Sequence, residues 1–248
     1  TGLANQVSAR AATRVCVAFP QAKSAFLEHV SDPDRIVVTG NPVRRSVLSA
    51  QRGPSRHALG VHDDEVFLLI FGGSLGARSL NNAVIGLKEQ LLSCPDVRIL
   101  QSCGAELYDE VVDALKLSEK EKRRWEVRPY ISNMGEALAA ADCIVSRSGA
   151  SSVAEIAARA LPSILVPFPL ATADHQTTNA HLLSDVGAAV LVPDGEVATE
   201  SFSTPLLKMV EDADMRFKMH NAAQGLDQGR SAQLLADQVE LSAQARSV

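Results

Sequence analysis

Residues 143–169 read CIVSRSGASSVAEIAARALPSILVPFP, and the fold turns on this stretch. The apolar run Cys143-Ile144-Val145 stops at small residues, and a serine-rich helix start follows at once. A second apolar run then ends in two prolines, Pro167 and Pro169. Runs that are apolar without alternation belong to strands buried on both faces, and a helix between two of them makes a parallel crossover.

The same rhythm extends outward on both sides. Strands are expected at VFLLIF (66–71), VRILQS (97–102), WEVRPY (125–130), CIVS (143–146), SILVPF (163–168) and AAVLVP (188–193). Helical spacing of apolar positions falls over 80–92, 108–124, 134–141, 152–160 and 176–186. The fold class is therefore α/β, a Rossmann-like doubly wound parallel sheet. Beyond Pro193 the pattern is helical, over 204–211, 215–224 and 231–244.

The first forty-odd residues differ. Helix (3–12), strand (VCVAF), helix (24–28) and strand (RIVVTG) precede GNPVR, and SAQRGPSR (49–56) then reads as a linker or loop. Residues 1–43 are too few for an independent core, so they are expected to be the last units of another domain. The expected division is 1–43, 44–228 and 229–248, the last being a terminal helix. The chain opens on Thr1, inside a helical pattern, and reads as a piece of something longer.

Composition narrows the function. Among 248 residues, 24 Lys and Arg stand against 29 Asp and Glu, a net charge of −5, so no nucleic-acid partner is expected. Cys16, Cys94, Cys103 and Cys143 are scattered, with no CxxC pair and no nearby histidine to complete a zinc site, and free thiols are the plain reading. No apolar run is long enough to span a bilayer.

A strand running into Gly72-Gly73-Ser74-Leu75-Gly76 and then a helix lets a ligand approach the backbone closely. A Walker loop would end Gly-Lys-Ser/Thr, whereas here Gly76-Ala77-Arg78 stands. A dinucleotide site would place an acid at the end of the next strand, where Gln101 is found. A sugar nucleotide lying across the strand ends, or a tight turn without a ligand, remains. In the opening stretch, Ser152-Val153-Ala154-Glu155 has the form of a capping box. The same geometry also offers the amides of Ala150, Ser151 and Ser152 to a phosphate, and the Glu155 carboxylate to a ribose diol. A helix terminus contributes only about 0.3–2 kcal/mol to an anion, against roughly 8 kcal/mol for micromolar affinity, so other loops must share the load. Gln176 and Asn179, near a helix start, carry both donor and acceptor for sugar hydroxyls, with capping and exposure as the bland alternative. Arg44 suits a base carbonyl or a phosphate at a cleft. The D-x-D pairs Asp32-Pro33-Asp34 and Asp212-Ala213-Asp214 are read as coincidence, and no metal ligand and no cofactor are assigned.

Four pieces in this order, GNPVR, FGGSLGARSLN, SRSGASSVAEIAARALPSILVPFP and DHQTTNA, closely resemble glycosyltransferase family 28, a GT-B family that includes the bacterial peptidoglycan N-acetylglucosaminyltransferases. The resemblance implies a UDP-GlcNAc donor held by Arg44, Ser74, the backbone of Ile131, Ala150, Ser151, Ser152, Glu155, Gln176 and Asn179. It implies metal-independent, inverting transfer of GlcNAc to the MurNAc 4-hydroxyl of undecaprenyl-linked lipid I, giving lipid II, at the cytoplasmic face of the inner membrane. It also implies that 1–43 is the end of an acceptor domain, through which the intact protein meets the membrane. The final helix would cross back towards that domain. The family's catalytic loop precedes Thr1, so no catalytic residue is assigned, and this piece alone is expected to be inactive. Leu75 replaces a frequent Gln, and Ser152 a frequent Thr. A sugar-nucleotide epimerase, a glycolipid synthase and the donor subunit of a two-part transferase are the competing readings.

Overall fold

A computed structural model describes residues 3–73, 76–171, 174–226 and 229–244. The first unit comprises helix α1 (Leu3–Ala11), strand β1 (Val15–Val17), a 3-10 helix over Pro20–His29 and strand β2 (Ile36–Val38). β1 and β2 pair in parallel, and Ala9, Val15, Val17, Phe26 and Ile36 form a small core of their own. Then come α2 (Arg45–Ser49) and α3 (Arg52–Ala58), which lead into the main sheet.

That sheet is built from β3 (Val66–Phe71), β4 (Val97–Ser102), β5 (Trp125–Arg128), β6 (Cys143–Ser146), β7 (Ser163–Leu165) and β8 (Ala189–Leu191). Every neighbouring pair is parallel and the order is β5-β4-β3-β6-β7-β8. The chain thus builds outward from β3 to one edge, returns to β3 and builds outward to the other. Helices α4 (Arg78–Ile85), α5 (Lys88–Ser93), α6 (Tyr108–Leu115), α7 (Glu119–Lys122), α8 (Met134–Ala140), α9 (Ala150–Ala158) and α10 (His175–Ser184) make the crossovers. α11 (Glu200–Glu211), α12 (Ala213–Ala223) and α13 (Ser231–Gln244) close the chain.

Successive strand side chains point to opposite faces, and in β3 this alternation separates two cores. Phe67, Leu69 and Phe71 pack with Leu138, Val153, Ile156 and Leu183 on one face. Leu68 and Ile70 pack with Leu80, Val111, Phe202 and Met209 on the other. α13 flanks the first unit, and Leu235 and Val239 line a groove with Thr13, Arg14 and Cys16. Among the described residues no helix is long and apolar enough to cross a membrane. The four cysteines are free, and burial, with Asp142 adding to it, pushes the Cys143 thiol up to about 12.

Several expected elements are shorter or divided. The helix expected over 80–92 is two, with Gly86 and Leu87 between them, because glycine weakens a helix interior. The one expected over 108–124 stops where Lys116 turns left-handed (φ 46°), and α7 restarts behind Ser118. Residues 24–28 belong to the longer 3-10 helix, and α11 begins at Glu200, behind the Thr199 cap. β5 and β7 end short of Pro129 and Pro167, which have no N–H to give a ladder.

SAQRGPSR is not a linker. Arg52 to Ala58 is helix, with Gly53 and Pro54 in the first turn, where a proline needs no intrahelical N–H partner. This short helix delivers Arg56, only 2% exposed, to the lower end of the sheet. Arg56 Nη1 donates to Asp142 Oδ2 (2.9 Å) and Ala140 O (3.1 Å), and Nη2 donates to His62 O and Glu65 O. Asp142 Oδ2 also accepts the Phe67 N–H at 2.7 Å. One arginine thereby ties the starts of β3 and β6 to the end of α8.

Candidate functional site

In an open parallel sheet a crevice forms beyond the strand ends where the winding reverses. That point lies between β3 and β6. A cleft of about 380 Å³ opens there, walled by Phe71 at the end of β3 and Gly73 beyond it, Ser102 at the end of β4, Ile131 beyond β5, and Ser151, Ser152 and Glu155 of α9. Arg44 closes one side.

The start of α9 is unusually bare. Gly149 is its N-cap and supplies no side-chain hydrogen bond, and the first intrahelical bond runs from Val153 N–H to Gly149 O at 2.9 Å. The N–H groups of Ala150, Ser151 and Ser152 therefore lack intrahelical partners, a ready site for an anion. Ser152 sits inside the helix, so the capping box is not formed.

Glu155 is turned to another partner. Arg44 Nε donates to Oε1 at 2.6 Å and Nη2 donates to Oε2 at 3.0 Å, a two-pronged pair between residues 111 apart in the chain. The Glu155 side chain is 7% exposed and that of Arg44 is 56% exposed, so the carboxylate lies at the cleft floor and the guanidinium at its rim. The hydrogen bond to Glu155 raises the Arg44 guanidinium above its usual range, with burial opposing. A carboxylate has about four lone-pair sites, and Arg44 takes two, which leaves room for a vicinal diol.

Of the residues singled out from the sequence, Arg44, Ile131, Ser151, Ser152 and Glu155 line this one cleft, and Ala150 stands beside it at the helix start. Gln176 and Asn179 are not in its wall. Gln176 Oε1 accepts the Phe168 N–H (3.0 Å), and Asn179 Nδ2 donates to Ser148 O (3.0 Å). Both tie the first turns of α10 to neighbouring loops, Asn179 to the loop that carries the bare amides. Ser74 lies outside the described residues. Asp32 caps the turn at Pro33, accepting the Asp34 N–H, and Asp212 caps α12, accepting the Met215 N–H. The two D-x-D pairs are thus helix caps. Among the described residues no three of His, Cys, Asp or Glu gather as a metal site.

The structure adds residues that sequence patterns did not flag. Pro42, Tyr130 and Met134 complete the cleft wall. Arg147, buried between the strand ends, donates to Val166 O (3.3 Å), Pro167 O (3.1 Å) and Ser79 Oγ (2.9 Å), and pairs with Asp194 at 2.6 Å. It fastens the loops after β6 and β7 to the start of α4. Gln101, found where an acid would bind a dinucleotide ribose, is wholly internal: it donates to Asn81 and accepts from Trp125 Nε1. Asn81 donates to Cys103 O, and a Cβ on Gly76 would collide with that same carbonyl. Glycine is needed there for the loops after β3 and β4 to meet. An arginine inside SRSGA and an asparagine one turn into α4 were visible in the sequence, but nothing local distinguished them from surface polar residues.

A six-stranded doubly wound sheet with its cleft at the reversal point defines a Rossmann-like domain of the nucleotide-binding class. Residues 67–239 match the family described as "Glycosyltransferase family 28 C-terminal domain". The chain belongs to glycosyltransferase family 28. It is similar to the UDP-N-acetylglucosamine--N-acetylmuramyl-(pentapeptide) pyrophosphoryl-undecaprenol N-acetylglucosamine transferase of Desulforudis audaxviator (strain MP104C), with 38% identity over 96% of this chain and 64% of the relative. The protein of that name from Moorella thermoacetica (strain ATCC 39073 / JCM 9320) is 39% identical over 79% of this chain and 53% of its own length. Among solved structures, the crystal structure of Acinetobacter baumannii MurG superposes with a TM-score of 0.69 at 28% identity, over 96% of this chain and 64% of that one. The chain therefore spans a little over half to about two thirds of the proteins it matches.

Proposed function

We propose that this chain is the donor-binding half of an inverting N-acetylglucosaminyltransferase. The intact protein takes UDP-GlcNAc as donor and the MurNAc 4-hydroxyl of undecaprenyl-linked lipid I as acceptor, and its product is lipid II. It serves cell-wall biogenesis, and with it cell shape and division, from the cytoplasmic face of the inner membrane. The names of the relatives support donor and acceptor together.

One observation carries the reading at this site: a buried carboxylate, Glu155, stands one turn below three helix-start amides that have no intrahelical partner, in the crevice at the sheet's reversal point. The amides of Ala150, Ser151 and Ser152 receive the diphosphate through N–H donation and the positive end of α9. Glu155 accepts both ribose hydroxyls, and Arg44 holds that carboxylate in register. The Ile131 backbone faces uracil, whose edge carries donor and acceptor groups of its own. Gln176 and Asn179 reach the GlcNAc hydroxyls once the loop they tie down adjusts. Ser74 completes the phosphate contacts from the glycine loop. Acceptor activation belongs to residues other than these.

Calorimetric titration of the chain with UDP, UDP-GlcNAc and UDP-GalNAc tests the proposal. Saturable binding of UDP and tighter binding of UDP-GlcNAc than of UDP-GalNAc are expected. No heat with UDP would overturn the donor site. Equal affinity for the two sugar nucleotides would remove Gln176 and Asn179 from sugar recognition.

A further inference from the structure

The lower end of the sheet, opposite the crevice, holds a second hollow of about 330 Å³. Asp142 and Pro162, which immediately precede β6 and β7, lie in its wall, and α12 lies across it with Arg216, Phe217 and His220. Arg52 of α3 and Arg159 at the end of α9 complete a ring of cations.

Two of these arginines, Arg159 and Arg216, have no carboxylate partner among the described residues. Among the described residues Asp142 is the one carboxylate in the wall, and it is shared by Arg52 and Arg56. Within the same set of residues Arg159 has a single acceptor, Ala50 O (3.1 Å), and Arg216 meets only Met209 O (2.8 Å) and Val210 O (2.7 Å). In both residues these bonds use Nη1, and among the described residues Nε and Nη2 have no acceptor. α8, α9 and α11 also end here, each C-terminus offering roughly half a negative charge, and Asp63 stands 3.9 Å from Arg56, but among the described residues no carboxylate pairs with Arg159 or Arg216. Burial, then the like charge of Arg52, holds Arg159 below its usual range. That is the mark of a cation without its counter-ion. In a chain of net charge −5, such a concentration of positive charge is a local construction and not a property of the whole surface.

We propose that this hollow is an anion site for a phosphate or diphosphate group, held by Arg159 and Arg216. Guanidinium forks match phosphate oxygens in pairs, and the two unused edges supply such forks from two helices. Phe217, 65% exposed at the rim, gives the site an apolar lip suited to a phosphate carried on an organic group. A free phosphate ester and the headgroup of an anionic lipid present the same chemistry to it. The site shares no residue with the donor cleft and does not depend on the donor assignment.

The test is calorimetric titration of the full chain with inorganic pyrophosphate while excess UDP is present. One saturable site is expected, weakened at least tenfold in the Arg159→Gln/Arg216→Gln double variant. Phe217→Asp, which adds a negative charge at the exposed lip without disturbing the core, should weaken it as well. Co-sedimentation with phosphatidylglycerol vesicles, against phosphatidylcholine vesicles, distinguishes the sources. Capture by the anionic vesicles, lost in the same variants, supports a lipid headgroup, and pyrophosphate binding without capture supports a soluble phosphate. Absence of both, or binding that neither variant changes, overturns the proposal.

Discussion

Arg44 with Glu155 and Arg56 with Asp142 are the same chemical pair at opposite ends of one sheet, and they do different work. At the lower end the guanidinium is 2% exposed, its donors reach a carboxylate and three main-chain carbonyls, and the carboxylate also takes the Phe67 N–H. Both terminal nitrogens of Arg56 are engaged and only its Nε, 3.9 Å from Asp63 Oδ1, lacks a hydrogen bond, so the pair has little to exchange. At the upper end the roles are reversed: the carboxylate is buried, and the arginine that holds it is more than half exposed. A pair with one member in water can be remade at little cost, because solvent stabilises the displaced charge. What separates a structural ion pair from a binding one is therefore which member is buried and how many of its hydrogen bonds remain open.

This contrast can be broken experimentally, beginning at the lower end. Arg56→Ala should cost about 3–5 kcal/mol, since it leaves a partly buried carboxylate and several carbonyls short of partners. Chemical denaturation measures this directly, and a loss below about 1 kcal/mol would show that Arg52 alone suffices.

Glu155→Ala should have the opposite profile. Its thermal midpoint should stay close to the parent's, because the exposed half of the pair rehydrates. UDP affinity should fall by about 100-fold or more, from two lost hydrogen bonds to a carboxylate at about 1.5–3 kcal/mol each. A lower melting temperature with unchanged affinity would make Glu155 structural after all.

The next variant sharpens the comparison. Arg44→Ala should weaken UDP binding about tenfold in the parent but hardly at all in a Glu155→Gln background, if Arg44 acts by holding the carboxylate. Equal losses in both backgrounds would make it a direct ligand of the nucleotide.

The smallest effect belongs to an exposed cap far from either pair. Ser118 and Glu121 form a reciprocal capping box at α7, and hydrogen bonds from the Ser118 side chain and backbone, with Lys88 assisting, lower the Glu121 carboxyl to about 2. A carboxyl depressed on folding contributes stability above its unfolded value near 4.5, and loses that contribution as pH falls towards 2. Ser118→Ala should therefore lower the melting temperature slightly at pH 7, with the difference shrinking by pH 3. A constant difference across that range would mean that the box is not formed in solution.

Much of this was legible in the chain itself. Strands buried on both faces are largely apolar, so β3 and β6, and β4 despite Arg98 and Gln101, declared themselves with their correct ends. The helix start after Ser146 and the glycine loop after β3 marked the crevice, because few residue types allow such backbone approach. Less could be read where a local signal competes with a distant partner. Ser152 and Glu155 satisfy a capping-box pattern, yet the helix starts earlier and Glu155 pairs with a residue 111 positions away. Gly53-Pro54 signals a break, yet burial of Arg56 makes that segment part of the scaffold. Gln176 and Asn179 carry sugar-reading chemistry, and the structure shows them engaged with loop backbone.

The sequence by itself determined the alternation of strands and helices, the doubly wound class and the neighbourhood of the crevice, because periodicity and backbone permissiveness are local properties. Only the tertiary structure decided which charges meet: that Arg44 serves Glu155, that Arg56 and Arg52 share Asp142, and that Arg147 fastens the strand-end loops. Coulombic and hydrogen-bond partners are chosen by distance in space, and residues a hundred positions apart leave no mark of one another in the local pattern of either.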